Sequence, residues 1–420
     1  MPRNSHHAKG THDAFPGSRE EPHRRTFEAA AGVTRRGFVA GAGLLGMTIP
    51  FHCGVPAAFA SEDVLTGKDG LTLLNGRPIS AETPAHLLDD AITPTARHFI
   101  RNNGLPPGDV DAADWTLTVD GLVNRPATFS IDELRMQFDV VTMALTIECG
   151  GNGRAFFDPA VGGEQWTVGA VACSEWTGVR LADVLKKAGV KPGAVYTAHY
   201  GADTNLSGKD GESPISRGVP MDKAMTDNVL IAFAMNGGPL HRQNGAPLRL
   251  VVPGWLGSCS QKWLRRVEVR EQVHDGPKMI GTSYRVPRYP VAPGDTVPDE
   301  DFDIIERMPV KSLVTSPEHG TAALREVEVR GHAWSGDRTV SAVEVSIDFG
   351  RTWITAELEG PVNPGAWQNW RRQIFFPQAG YYEVWSRATD SAGDKQPFAI
   401  DWNPKGYLNN SVHRIALRVT

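Results

Sequence analysis

The chain has 420 residues, 40% of them hydrophobic and 22% charged, with a formal net charge of −5. That length accommodates two domains with separate cores, and that composition argues against disorder. The acidic balance gives no support to a nucleic-acid or anionic-membrane role, and no apolar run reaches the ~20 residues that a spanning helix needs.

Residues 1–30 are polar and rich in His and Arg, without an apolar period. Thr34, Arg35, Arg36, Gly37 and Phe38 then open a short glycine-rich apolar stretch that ends at Ala58, Phe59 and Ala60. Adjacent arginines, a phenylalanine two residues on and small residues at the end predict a twin-arginine export signal over residues 1–60. Gly41, Gly43 and Gly46 match the glycine spacing of dinucleotide sites, but no strand and helix frame them. The twin-arginine route exports folded proteins, so a periplasmic location and a cofactor inserted before export are expected.

Residues 61–114 read as loop-rich. From Trp115 the pattern sharpens. "WTLTVDGLV" alternates and carries an Asp-Gly turn, predicting a strand. "SIDELRMQF" predicts a helix capped by Ser130, with Glu133 completing a capping box. "VVTMALTIEC" predicts a buried strand, and "RLADVLKKAG" a helix ending at Gly189. "AVYTAHYG", "APLRLVVPG" and "KWLRRVEVR" predict strands, and "PMDKAMTDNVLIAFAMNG" a helix followed by a short strand. This mixture predicts one α/β or α+β domain. A proline-rich, irregular connector follows over 271–309. The remainder alternates in short segments such as "REVEVRGHAWSG" and "YYEVWSRATDSAG", predicting an immunoglobulin-like sandwich. The domains are thus expected at 61–305 and 306–420, after the leader.

The chemistry centres on "LTIECGGNGR". The four cysteines are Cys53, Cys149, Cys173 and Cys259, and their spacing excludes zinc-ribbon pairs, redox pairs and covalent c-type haem attachment. A disulfide between two of the last three stays open. A free cysteine at a strand end is most often a small buried hydrophobe. Here Gly150, Gly151 and Gly153 allow a tight turn against something bulky, Asn152 tolerates left-handed backbone, and Arg154 favours thiolate over thiol. Such a thiolate suits a soft-metal ligand or a nucleophile. The nucleophile needs an imidazole, for which His199 and His241 are the candidates. No serine elbow or Walker loop offers an alternative.

"FIRNN", "ECGGNGR", "QWTVGAVACSEWTGVRLADVL", "VLIAFAMNGGPL", "APLRLVVPGWLGSCSQKWLRR", "SIDFGRTW" and "DWNPKGYLNNSVHR" occur in order from about residue 90 to the C-terminus. Together they resemble the sulfite oxidase family of molybdenum enzymes, most nearly its bacterial, periplasmic, haem-free sulfite dehydrogenases. The resemblance implies an α+β fold, a central mixed α/β molybdopterin-binding domain followed by an immunoglobulin-like dimerisation sandwich. It implies a molybdenum–molybdopterin cofactor, with Cys149 as the protein's sulfur ligand to the metal. Arg101, Arg154 and Lys405 would face the substrate oxyanion, Tyr284 would hydrogen-bond it, and Trp166 would line the pocket. Cofactor contacts would come from Phe99, Ile100, Arg101, Asn102, Asn103, Asp203, Asn244, Arg249, Ser260, Gln261 and Lys262. Asn103 and Asn244 stand where vertebrate members carry histidine. Lys405 stands where many members carry arginine, keeping the charge but losing the planar fork. The loop after Arg154 is shorter than usual, and its customary lysine has no counterpart.

The implied reaction is oxidation of sulfite to sulfate. The chain holds no haem motif, so an external acceptor is implied, most simply a periplasmic c-type cytochrome. A homodimer is implied, and nucleic acid and membrane spans are not expected. The alternatives are the sulfane dehydrogenase component of a thiosulfate-oxidising complex, a sulfoxide reductase on the same core, and a non-catalytic secreted binding protein.

Overall fold

Strand and helix lengths follow closely from local chemistry in the computed structural model, which describes residues 65–209 and 211–420. The expected export signal, its glycine triplet and Cys53 lie outside the described residues. A small antiparallel sheet comes first, β1 (Thr72–Gly76), β2 (Ile79–Glu82) and β3 (Ile100–Arg101), in the order β1-β2-β3. It brings "FIRNN" in from the N-terminal side.

Two five-stranded sheets form the body of the first domain. One joins β4 (Thr116–Gly121), β5 (Ala127–Ser130), β8 (Tyr196–Gly201), β9 (Ser216–Pro220) and β13 (Leu264–Arg270) in the order β5-β4-β13-β8-β9. Only β13 and β4 run parallel. The other has the order β11-β10-β7-β6, with β12 also pairing β10. Its members are β6 (Val140–Glu148), β7 (Val171–Arg180), β10 (Leu230–Met235), β11 (Gly238–Pro239) and β12 (Arg249–Val251). Leu117, Val119, Val179, Ile231, Leu250, Val267 and Val269 fill the main core with the two longer helices.

α1 (Ile131–Gln137) starts where the capping box predicts: the Glu133 amide donates to Ser130 Oγ at 3.2 Å, and the Ser130 amide donates back to Glu133 Oε2 at 2.8 Å. α2 (Leu181–Ala188) stops at Gly189, whose φ of 72° only glycine adopts freely. The stretch after Pro220 gives the expected helix and then a short strand. Its helix is a single turn, α3 (Met221–Ala224), and the apolar run that follows is β10, central in its sheet. A continuous apolar run does not distinguish a buried strand from a buried helix, and pairing with β7 and β12 decided it.

The connector is not wholly irregular. β14 (Arg285–Pro287) pairs antiparallel with β15 (Phe302–Ile304), and Arg288 reaches Asp303 at 2.9 Å across the ribbon. The C-terminal part is a sandwich of two sheets around its own core, including Val329, Val343, Trp370, Val384 and Leu417. One sheet, ordered β16-β18-β22-β21, contains β16 (Lys311–Ser316), β18 (Glu326–Trp334), β21 (Glu357–Glu359) and β22 (Gln368–Phe375). The other, ordered β17-β24-β23-β19-β20, contains β17 (Ala322–Ala323), β19 (Val340–Ser346), β20 (Ile354–Thr355), β23 (Gly380–Asp390) and β24 (His413–Val419). Leu88, Val171 and Cys173 pack with Leu313, Trp334 and Trp367 to join sandwich and catalytic part. Among the described residues, no helix is long and apolar enough to cross a membrane.

Candidate active site

β6 pairs with β7 over its whole length, from Val140 opposite Val179 to Glu148 opposite Val171. The Cys149 amide extends that ladder by one bond, donating to Ala170 O at 2.9 Å. Strand periodicity does the rest. Leu145, Ile147 and Cys149 share one face, in a cluster with Phe99, Trp166 and Trp176. Thr146 and Glu148 take the other face. The chain then folds back sharply, the Asn152 amide donating to Cys149 O and the Arg154 amide to Gly151 O, both at 2.9 Å. Gly153 sits at φ 91°, and a Cβ on Gly151 would lie 2.4 Å from the Arg154 guanidinium. Both positions require glycine.

Cys149 is half-buried and free. Cys173 and Cys259 are also free and fully buried, so the disulfide left open by the sequence does not form among these three. Cys149 opens on a cleft lined by His98, Phe99, Arg101, Asn103, Asp203, Asn244, Arg249, Ser260, Gln261, Lys262 and Tyr284. Neither His199 nor His241 lines it: His199 bonds Thr197 Oγ1 at 2.9 Å and His241 bonds Thr66 O at 2.9 Å. The imidazole at the cleft is His98, whose Nδ1 is buried and without a partner.

The cleft is strongly cationic inside. Arg249 is buried and donates to Asn244 O at 2.7 Å and Ser260 O at 3.2 Å. Burial lowers its guanidinium to about 9. The Lys262 ammonium donates to Asn102 Oδ1 and to Gln243 O. Burial, then the charge of Arg249, holds it well below the usual lysine value. Lys68 reaches in from the N-terminal arm and donates to Asn244 Oδ1 at 2.5 Å, Thr95 O at 2.7 Å and His98 O at 3.0 Å. Burial and then Arg249 bring it down to about 7. Asp203 is the one carboxylate among the described residues that line the cleft. Burial pushes it up to about 6, against the pull of Lys262, and its Oδ1 has no partner.

The structure brings most of the sequence-predicted residues together. Phe99, Arg101, Asn103, Asp203, Asn244, Arg249, Ser260, Gln261, Lys262, Tyr284 and Cys149 all line the cleft. Tyr284 is backed by Tyr407 in a stack at 5.8 Å and donates its hydroxyl to Asn103 Oδ1 at 3.2 Å. Five residues stand behind the lining. Ile100 is fully buried on β3, and Asn102 carries Lys262 and donates to Gln243 Oε1 at 2.9 Å. Trp166 is fully buried against Phe99, ring centroids 6.3 Å apart. Arg154 is buried and committed to backbone, donating to Lys405 O at 3.0 Å and Glu164 O at 2.9 Å beneath the Tyr407 ring. Lys405 thus meets Arg154 through its carbonyl rather than its ammonium.

Lys68, His98, Arg217 and Tyr407 went unread in the sequence. His98 directly precedes "FIRNN", which was its only signal. Arg217 is 1% exposed, lies 4.9 Å from the Tyr284 ring and donates to Lys278 O at 2.6 Å, bracing the loop that carries Tyr284. Nothing local marks Lys68 or Arg217, because each acts across a long sequence separation.

The arrangement asks for a particular kind of occupant. Buried Arg249 and half-buried Lys262 and Lys68 outnumber the single carboxylate, and Asp203 Oδ1, Gln261 Oε1 and His98 Nδ1 are buried without partners. The cations call for an anion, and the orphaned oxygens of Asp203 and Gln261 call for N–H donors, so a polar ligand carrying both would satisfy them. Among the described residues no cluster of three or more His, Cys, Asp or Glu could hold a metal. A metal here would have Cys149 and donors carried by its own cofactor. A dithiolene cofactor bearing a phosphate meets both demands: sulfur donors beside Cys149, and an anion for Arg249, Lys262 and their neighbours.

Comparison with known proteins agrees. The "Oxidoreductase molybdopterin binding domain" family matches residues 103–278, and the "Mo-co oxidoreductase dimerisation domain" family matches 302–420. Sulfite oxidase of Gallus gallus is 34% identical over 376 residues, 86% of this chain and 81% of that protein. Nitrate reductase [NAD(P)H] of Hordeum vulgare is 31% identical over 376 residues, 83% of this chain but only 42% of that protein. The chain likewise spans 66% of the mitochondrial sulfite oxidase of Rattus norvegicus. The sulfane dehydrogenase SoxCD from Paracoccus pantotrophus superimposes with a TM-score of 0.68 at 28% identity, covering 91% of this chain and 96% of that one. The chain therefore belongs to the sulfite oxidase family, and it is an oxidoreductase whose cofactor is molybdenum held by molybdopterin.

Proposed function

We propose that this protein is a sulfite dehydrogenase: it oxidises sulfite to sulfate and passes the electrons to an external c-type cytochrome. The balance is sulfite plus water giving sulfate, two protons and two electrons. The observation that carries this reading is the half-buried Cys149 thiol opening on the same cleft as Arg101 and Tyr284. When bound, the cofactor supplies the oxygen-atom transfer and the two-electron redox change. The protein's residues bind, orient and neutralise. Arg101 is a half-exposed cation of the lining, and unlike Lys262 it is not committed to Asn102 Oδ1 and Gln243 O, so it is the group best placed to meet a small oxyanion from solvent. Tyr284 places its hydroxyl beside Asn103, where it can donate to a bound oxyanion instead. Arg154 and Lys405 act on the far side of Tyr407, shaping the cysteine turn and adding positive charge. Arg249, Lys262, Asn244, Ser260 and Gln261 would hold the cofactor's polar end, with Asp203 an acceptor among them.

The twin-arginine segment places the reaction in the periplasm in this reading. The sandwich, matched to a dimerisation family, supports a homodimer as the working form. Membership in an oxidoreductase family weighs against a non-catalytic binding protein, and the sandwich weighs against a small sulfoxide reductase.

The test is turnover of sulfite with cytochrome c by molybdenum-loaded protein. Cys149→Ala should all but abolish turnover and alter the metal's electron paramagnetic resonance signal, because the metal's protein ligand is gone. Arg101→Gln should keep its metal and raise the KM for sulfite about 10–100-fold, the value of one charge-assisted hydrogen bond. Full activity in both variants would end this reading. A second reading, sulfane dehydrogenase, is favoured by the near end-to-end likeness to SoxCD. Oxidation of a sulfane-sulfur substrate without oxidation of sulfite would select it.

A further inference from the structure

The two residues at the end of β6 face opposite ways, and the second face is as elaborate as the first. While Cys149 opens on the cleft, the Glu148 side chain points into the sandwich. Its carboxylate is 2% exposed and fully engaged. Lys311 of β16 donates from Nζ to Oε1 at 2.5 Å, and Trp334 of β18 donates from Nε1 to Oε2 at 2.7 Å. Asn152, from the glycine turn, donates from Nδ2 to Oε1 at 3.0 Å and accepts the Ala170 amide at 3.1 Å. The C-terminal tail closes over the same turn. The Leu408 amide donates to Gly150 O at 3.0 Å, and Asn409 Nδ2 donates to Gly153 O at 2.9 Å. Beyond its own strands and Asn152, the turn is anchored by Glu164, by a bridge from Glu148 to Leu256, and by the sandwich and its tail.

We propose that Glu148, clamped by Lys311 and Trp334, is a positioning residue for the metal-bearing cysteine, so that the sandwich domain sets the geometry of the active-site thiolate. The inference rests on the reading that Cys149 is the metal's protein ligand. Glu148 touches neither substrate nor cofactor; it acts through the backbone it shares with Cys149. Its carboxylate is fixed by three donors, which leaves the strand end no freedom to rotate. A thiolate misplaced by even a fraction of an ångström changes the overlap of its sulfur with the metal. The domain whose family name refers to dimerisation would therefore be needed by each active site on its own account.

A control lies in the same domain junction. Arg330 of β18 pairs with Asp89 of the catalytic part, Nη2 to Oδ2 at 2.5 Å, with no bond to the cysteine turn. The experiment compares molybdenum-loaded Lys311→Met, Lys311→Arg, Trp334→Phe and Arg330→Gln with wild type. Molybdenum per chain and the electron paramagnetic resonance signal of the half-reduced metal are both measured, neither requiring turnover. Lys311→Met should lower molybdenum retention by about tenfold, the scale at which partners behind a metal ligand act, and shift the signal in the loaded fraction. Lys311→Arg should restore both. Trp334→Phe should shift the signal in the same direction by less. Arg330→Gln should lower the melting temperature while leaving metal content and signal unchanged. Full metal and an unshifted signal in Lys311→Met would overturn the proposal, as would the same shift in Arg330→Gln. Should Lys311→Met not fold, an unshifted Trp334→Phe overturns it alone. A protein that holds its metal normally yet ignores sulfite would refute the substrate reading and leave this one standing; a wild-type metal signal in Cys149→Ala would remove the shared premise.

Discussion

Lys68 shows how a single residue completes a site that motif reading leaves partial. Its ammonium is held by Asn244 Oδ1 and two carbonyls of the segment that carries His98 and Phe99. It thereby aims the Asn244 amide, whose Nδ2 donates to Phe99 O at 3.1 Å. Lys68→Met should therefore loosen the cofactor's binding several-fold, seen as molybdenum lost on dialysis, while the loaded fraction keeps its kcat. Unchanged retention would make Lys68 a bystander. Cys149, Arg101 and Arg249 were legible because each lies within a run whose neighbours also have roles. Lys68 was not, since the contact that gives it meaning spans 176 residues of chain. Arg154 was legible as a nearby cation, but the carbonyls that absorb its donors become visible only in three dimensions.

At the scale of elements, signals carried by a few adjacent residues were the readable ones. The capping box at Ser130 and the stop at Gly189 are local bargains between side chain and backbone, and both helices obey them. Ser130→Ala should cost about 1 kcal/mol of stability in chemical denaturation, with activity unaffected. Gly153→Ala belongs to a different class. Its φ of 91° strains any side chain, and the new Cβ would lie 2.8 Å from Asn409 Cβ. It should lower activity more than it lowers the melting temperature, because the strain falls on the cysteine turn. Equal loss of both would show the turn to be merely structural. β10 was expected as a short strand, but its central place was not legible: "VLIAFAM" carries no period, and its partners β7 and β12 set its position.

The whole molecule contains several histidines held neutral by burial. His332 and His413 in the sandwich are each brought down to about 4, and His274 in the catalytic part likewise, with burial the chief cause in all three. His332 also stacks on Trp367 at 3.8 Å and bonds Leu88 O across the junction. An unfolded histidine binds its proton near 6.5, so between about 6.5 and 4 the unfolded state takes up more protons than the folded one. The stability these groups contribute is complete above pH 6.5 and is lost as pH falls toward 4, by up to about 3 kcal/mol per group. Asp203 acts in the opposite direction: raised to about 6, it favours the folded cofactor-free chain below that pH and opposes it above. Denaturation midpoints should fall steeply from pH 7 to 4.5, and His332→Gln should flatten that slope. An unaltered slope would mean that His332 titrates normally in the folded protein.

What the sequence by itself determined was composition-level and local: two cored domains, the helix caps, the alternating strands, and a cysteine in a turn that only small residues permit. Those follow from interactions between neighbours a few residues apart, which any copy of the segment would make. The tertiary structure alone decided that Lys68 joins the cofactor residues through Asn244, that Arg154 turns its fork to the backbone, and that Glu148 is gripped by another domain. Those outcomes depend on which distant surfaces meet, and meeting is governed by summed burial and pairing over the whole chain.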